Sequence, residues 1–279
     1  MAALSIEQIT GTNFSYQHMT FERFLDDMVA LERRHLELWG IANHLYIPEF
    51  SFADARRMKA QLDERDQDVV CITPESVMYP VNLASSIPWI RESAIATLKK
   101  AADICVDLGS PLLFLTPGRG FEDESRDEAW KRSVDGIAQV AQYAASLGVD
   151  CVLEPLQRHE SNLVNNSEQL AQMLAEVGEG NVGVALDTVA MATAEETVAC
   201  YVKRFGDGIR HVHLIDGRPA GHMAWGDGEL PLDQYLDDLA DAGYSGYMTF
   251  EIFGAKNTFE PFDAHRRSLA AVESALAAA

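Results

Sequence analysis

The sequence predicts an α/β fold, a single (β/α)8 TIM barrel over residues 1–279, and three observations carry that expectation. Strand-like and helix-like segments alternate from end to end without a linker or low-complexity block, and the strand-like ones number eight. A chain of 279 residues also lies close to the ~250 typical of an eightfold barrel. An open doubly wound sheet would more often place a glycine-rich turn after its first strand, and Gly11-Thr12-Asn13-Phe14 is not one.

Taken in order, the candidate strands are residues 5–11, 35–39, 68–73, 111–116, 149–154, 182–187, 209–215 and 246–252. Several are short apolar runs, the pattern of a parallel strand covered on both faces. Ahead of the fourth strand, Ala94, Leu98, Ala101, Cys105 and Leu108 keep the alternating four-three spacing of one helix face. Trp130, Val134, Ile137, Ala141 and Ala144 do the same after it, and Phe262, Leu269, Val272 and Leu276 mark a last helix. Gly109, Gly148 and Gly243 stand just past helical runs, where a left-handed residue commonly ends a helix. Ser167 and Asp233 are expected helix starts. The longest connection runs from Asp216 to Glu229, and its Gly226-Asp227-Gly228-Glu229 turn should fold it back before a helix begins near Pro231. With the connection over residues 74–88 it is expected to form a lid.

Composition excludes whole classes of function. Hydrophobic content of 47% and charged content of 23% suit a chain that buries a sizeable core. A formal net charge of -21 makes nucleic acid a poor partner, because binding a phosphate backbone relies on Lys and Arg displacing counterions. No stretch approaches the ~20 apolar residues of a membrane span, and Met-Ala-Ala-Leu-Ser-Ile-Glu lacks a basic segment leading into an apolar one. The expectation is a cytoplasmic protein with no membrane contact. Cys71, Cys105, Cys151 and Cys200 lie far apart without metal-ligand spacing and read as reduced core thiols.

The strongest functional signal is a series of four apolar runs that each finish on a residue able to ligate a divalent cation. They are Cys151-Val152-Leu153-Glu154, Val182-Gly183-Val184-Ala185-Leu186-Asp187, Ile209-Arg210-His211-Val212-His213 and Tyr247-Met248-Thr249-Phe250-Glu251. An ionisable group at the end of a buried strand sits at the rim of the sheet, where it can face a cavity. Each has a plainer reading. Glu154 could be a solvated strand end left by Pro155, and Asp187 could merely cap the following turn. His213 shares a strand face with His211, so one of the two could be a packed histidine; His213 is preferred because it lies nearer the carboxyl end. Jointly, four consecutive strands offering ligands at one rim make a site for Mn2+, Mg2+, Co2+ or Zn2+, and three carboxylates with one imidazole argue against structural zinc.

Such an ion, chelated by a carbonyl and a neighbouring hydroxyl, acts as a Lewis acid that stabilises the enediolate formed when the carbon alpha to the carbonyl loses its proton. Glu154 and Glu251 come from strands three steps apart in an eightfold ring and can flank one bound sugar. One carboxylate removing a proton and the other returning it to the opposite face is epimerisation.

At these residues the chain resembles the xylose-isomerase-like barrel superfamily of sugar isomerases and epimerases. Leu153-Glu154-Pro155-Leu156, Glu160-Ser161-Asn162, Leu186-Asp187, His211-Val212-His213, Gly226-Asp227-Gly228-Glu229 and Thr249-Phe250-Glu251 are most similar to the fructoselysine 3-epimerases and the tagatose/allulose (psicose) 3-epimerases. Leu36-Glu37-Leu38-Trp39-Gly40, Thr73-Pro74-Glu75, Tyr79-Pro80-Val81-Asn82 and Arg91-Glu92-Ser93 extend the resemblance over nearly the whole chain. It implies that Glu154, Asp187, His213 and Glu251 bind Mn2+, with Co2+ or Mg2+ as alternatives, that Glu154 and Glu251 are also the acid/base pair, and that Glu160 contacts substrate. Homodimers or tetramers are common among the similar epimerases, and a partner subunit of another kind stays open. Two departures matter. The free-ketose enzymes carry a histidine three residues after the metal aspartate, where this chain has Ala190, and a substrate-contacting arginine six past the metal histidine, whereas the matching candidate Arg218 comes five past His213, in a loop that allows an offset. Both weaken the case for a simple free ketose and keep an amine-linked one open.

Further candidates for substrate contact are Trp39, as an apolar wall or as plain core, and His44, His159, His222, Tyr79 and Asn82 in or near loops at the carboxyl face. The leading expectation is a divalent-metal-dependent ketose 3-epimerase acting on a free or amine-linked ketose. Its nearest rival keeps the site and performs aldose/ketose isomerisation, dehydration or carbon-glycoside cleavage. An apurinic endonuclease would need extra histidines and a basic surface that the chain lacks, and a non-enzymatic sugar-binding role would need ligand binding without turnover.

Overall fold

The computed structural model describes residues 4–76 and 81–278. Its strands are β1 (Ile9–Thr12), β2 (His35–Trp39), β3 (Asp68–Thr73), β4 (Leu112–Leu115), β5 (Asp150–Leu153), β6 (Val182–Asp187), β7 (Ile209–His213) and β8 (Tyr247–Thr249). Neighbours in sequence are neighbours in space, all parallel, and β8 pairs with β1 through Ile9 opposite Met248, so the sheet closes into an eight-stranded barrel. The chain is the α/β barrel its alternation implies.

Two apolar layers hold it. Helix faces pack on the outside of the barrel, where Ala94, Leu98, Ala101, Cys105 and Leu108 of the helix Pro88–Leu108 are all buried. Trp130, Ile137, Ala141 and Ala144 of the helix Arg126–Ser146 are buried as well. Inside the barrel a smaller cluster of Val70, Cys71, Leu112, Phe114, Val152 and Ala185 fills the floor. Each fully buried aliphatic side chain contributes ~1.5–3 kcal/mol relative to exposure.

Two register shifts matter for the chemistry above that floor. The β2–β3 pairing slips between Leu36 and Glu37, and the β6–β7 pairing slips between Val184 and Ala185. An extra residue in one strand re-aims the side chains after it. Beyond the slips Glu37 lies beside Cys71, Ala185 beside His211 and Asp187 beside His213.

Some boundaries differ from the sequence reading. Residues 6–8 form a 3-10 turn, because Ser5 and Gln8 close a capping box, and the first strand begins only at Ile9. The helix Ser167–Val177 does start at Ser167, with Asn166 as its cap, whereas the helix Leu232–Asp241 starts one residue before Asp233. Gly109 does end its helix in the left-handed region, at φ 77°. Three cysteines are buried, but Cys200 is exposed on the helix Val198–Phe205 and is no core thiol. Among the described residues no helix is long and apolar enough to cross a membrane.

Candidate metal centre

The four strand-end residues converge. One ligand atom from each of Glu154, Asp187, His213 and Glu251 can be chosen so that all lie within 4.8 Å of one another, and all four residues are buried. Glu154 follows β5 directly and is held at the rim by its backbone N–H, which donates to the Leu115 carbonyl at 3.2 Å. The two oxygens of Asp187 have different surroundings. Its Oδ1 accepts from the backbone of Ala190 at 2.5 Å and caps the helix Thr188–Thr193, while its Oδ2 is buried without any hydrogen-bond partner.

Two other buried atoms share that condition, Glu154 Oε1 and His213 Nδ1. Nδ1 stands 3.0 Å from Glu154 Oε1 and 3.0 Å from Glu251 Oε2, close enough for charge attraction but off the line of a hydrogen bond with Glu154. Each unsatisfied buried polar atom costs ~1–3 kcal/mol. Three of them aimed at one point are what a cation would satisfy, and three carboxylates with one imidazole suit a hard or borderline divalent ion.

The imidazole is fixed on its other sides. Phe114 stacks on the His213 ring with centroids 4.7 Å apart and planes 7° off parallel. His213 Nε2 lies 3.1 Å from Glu37 Oε1, and Glu37 Oε2 lies 2.6 Å from His211 Nε2. Thr73 donates to Glu37 Oε1 at 2.5 Å, and His211 Nε2 also meets Thr249 Oγ1 at 3.1 Å. Glu37, Cys71 and His211 also cluster closely enough to suggest a cation site. Both Glu37 oxygens are already engaged, however, and burial holds the Cys71 thiol well above its ordinary value, so this grouping is a hydrogen-bonded floor beneath the first.

Burial and charge pull the carboxyls apart. Burial pushes Glu154 up to about 8, with His213 opposing and Glu251 and Asp187 adding to the rise. Asp187 is raised to about 6, again mainly by burial. For Glu251 burial acts in the same direction, but the charges of His213 and His222 more than reverse it and bring it to about 2. His222 itself goes up to about 10, because Glu251 at 3.4 Å outweighs its burial.

Above the centre opens a cavity of about 880 Å3, toward the upper end of the ~300–1,000 Å3 usual for small-molecule sites. Trp39, Glu160, Arg218, His159 and His222 line it, as the sequence suggested. Trp39 belongs to a wall in which Phe14 stacks on it at 4.1 Å and on Phe253 at 5.0 Å. Pro74, Glu75 and Ser76 from one long connection and Arg218, His222, Met223 and Asp227 from the other also border the cavity.

Two candidates are corrected. His44 is not among the lining residues: its Nδ1 pairs with Asn13 at 3.2 Å and its Nε2 with the Met19 carbonyl at 2.9 Å, which leaves no ring nitrogen for a ligand. Asn82 is also absent from the lining, its amide spent on the backbone of Ala84 and Arg119. It holds Arg119, which does line the cavity. Tyr79 lies outside the described residues. Sequence reasoning gave no role to Phe14, Phe253 or Glu37. Only Glu37 carried a signal, as a charge in the middle of an otherwise apolar strand.

Residues 27–275 match the xylose isomerase-like TIM barrel family. The chain belongs to that family. Among family relatives, the fructoselysine 3-epimerase of Escherichia coli O157:H7 is 27% identical over 239 residues, covering 85% of this chain and 87% of its own length. The D-psicose 3-epimerase of Ruminiclostridium cellulolyticum is 31% identical over 177 residues, 62% of this chain and 59% of the relative. A solved L-ribulose 3-epimerase superposes with a TM-score of 0.82 at 20% identity, over 96% of this chain and 94% of the other, which speaks for the fold. Kinship with epimerases and the cluster of cation-ligand side chains together support catalytic activity of the isomerase and epimerase type.

Proposed function

We propose that the protein is a divalent-cation-dependent ketose 3-epimerase, with Glu154 and Glu251 moving the proton at C3. The observation that carries this reading is the pair of glutamates that end two strands on either side of one cation site, with ligand atoms within 4.8 Å of each other. An ion held by Glu154, Asp187, His213 and Glu251 would supply Lewis acidity to the substrate carbonyl and its neighbouring hydroxyl. Everything else falls to the side chains. Glu154 and Glu251 reach the site from beyond β5 and β8, so one can remove the C3 proton from one face of the substrate and the other return it to the opposite face, as a two-base inversion needs.

Trp39, Phe14 and Phe253 offer an apolar face to a sugar, and Glu160, Arg218 and His222 offer polar contacts along the same cavity. The cavity has room for more than a free hexose, and Ala190 adds space on the Asp187 side. Both favour a ketose carrying a substituent, such as an amine-linked one, over a free ketose. Mn2+ is the proposed ion, with Co2+ or Mg2+ as substitutes. We further propose that residues 1–279 act as one catalytic domain in the cytoplasm, in a homo-oligomer.

Glu154→Gln and Glu251→Gln should each lower turnover by at least ~10²-fold, since general acid–base catalysis contributes that much. In deuterium oxide the wild type should place deuterium at C3 of substrate, read by NMR over a panel of ketoses and fructosamines. Wild-type turnover in either variant, or no label at C3, would end the proposal. Label at another carbon would instead identify an isomerase on the same site.

A further inference from the structure

We propose that Glu37, which reaches the site from β2 rather than from the ligand strands β5 to β8, is a positioning residue that aims His213 at the ion. The inference rests on the cation-site reading above. Glu37 is fully buried, and its Oε1 lies 3.1 Å from His213 Nε2. A carboxylate can only accept, so Nε2 must carry the hydrogen, and in the neutral ring Nδ1 then presents its lone pair. Nδ1 is the buried atom left without a hydrogen-bond partner beside Glu154 and Glu251.

The grip is rigid because Glu37 is itself held from both sides. Thr73 donates to Oε1 from β3, and His211 meets Oε2 at 2.6 Å from β7. His211, which shares a strand face with His213, is thereby removed from competition for the ion. With Phe114 stacked on the ring, His213 has neither a free rotation nor a second tautomer to adopt. Outer partners of this kind typically change metal affinity by ~10–100-fold.

The test is Mn2+ titration by calorimetry on metal-stripped protein. Wild type should bind one ion per chain, and Glu37→Ala should bind about 10–100-fold more weakly. Glu37→Gln, which keeps the shape and one acceptor, should fall between the two and guards against a variant that fails to fold. Thr10→Val serves as the control: Thr10 pairs with Thr249 at 2.6 Å in the same floor and bonds to Glu37 only through Thr249 and His211. It should lower Tm and leave Mn2+ affinity unchanged.

Equal affinity in wild type and both Glu37 variants would overturn the proposal, as would a loss in Thr10→Val as large as in Glu37→Ala. So would 15N spectra of Zn2+-loaded wild type that show the ion on Nε2 of His213. A wild type that binds no Mn2+ would instead sink the cation-site reading itself, and this inference with it.

Discussion

Glu154 and Asp187 hold their protons further up the pH range than carboxylic acids in water, at about 8 and about 6, because both are buried among like charges. The consequence for stability has a definite sign. An unfolded chain gives up these protons near 4, so between that value and the raised ones the native state binds more protons, and stability falls as pH rises. His222, raised to about 10 from 6.5, and His213, raised as well, act the same way: their stabilisation is complete below 6.5 and fades above it. Glu37 and Glu251, lowered by their histidines, lose their contribution only under more acidic conditions. In EDTA, Tm should therefore decline from pH 5 to pH 8, and the increment that Mn2+ restores should grow over the same interval. A flat profile in thermal scans would contradict this. Single residues also mark how far the sequence could be read. Asp187 was ambiguous between cap and ligand because one of its oxygens caps a helix while the other is buried without a hydrogen-bond partner. Glu37 could not be assigned because its partner His211 lies 174 positions away, across a ring whose strand pairing no local pattern displays.

The connection after β7 shows how an element beyond the strands is built. Asp216 accepts hydrogen bonds from the backbone N–H groups of Gly217, Gly226, Gly228 and Leu230 at 2.8 to 3.1 Å, and so pins both ends of the loop that carries Arg218 and His222. A bond to a charged acceptor is worth ~1.5–3 kcal/mol, so Asp216→Ala should cost on the order of 3 kcal/mol after relaxation. It should also raise KM while leaving Mn2+ affinity near wild type, checked by denaturant melts, kinetics and calorimetry. Gly228→Ala should behave alike, because an added Cβ would stand 2.2 Å from Asp216 Oδ1 and 2.6 Å from the Gly217 nitrogen. The Gly226-Asp227-Gly228-Glu229 turn was legible because glycine declares itself. Asp216 was not, since an aspartate that gathers four amides looks like any other loop acid until the loop closes on it. The opposite error fell on residues 5–11, where the apolar spacing hid a serine and a glutamine three positions apart that cap a turn.

The whole chain carries a formal charge of -21, and three of its acids are confined with one imidazole at the barrel mouth. Filling that site should be felt globally. At a hundredfold excess over its dissociation constant, Mn2+ adds ~2.7 kcal/mol, which for a chain of this size means a Tm higher by roughly 5 °C. Calorimetric scans with and without the ion would show it, and Asp187→Asn should abolish most of the gain. The barrel itself was legible almost throughout, because eight alternations of strand and helix leave few other ways to cover a parallel sheet. Its closure divides labour in a way that no stretch of sequence displays. The four clustered residues all stand at or just past the carboxyl ends of β5 to β8, whereas Glu37 and Thr73 come from β2 and β3. A fragment beginning at β5 would thus retain every hand that grasps the ion and lose the brace that steadies one of them. Adding back the amino-terminal half should tighten the hold without contributing a single new ligand.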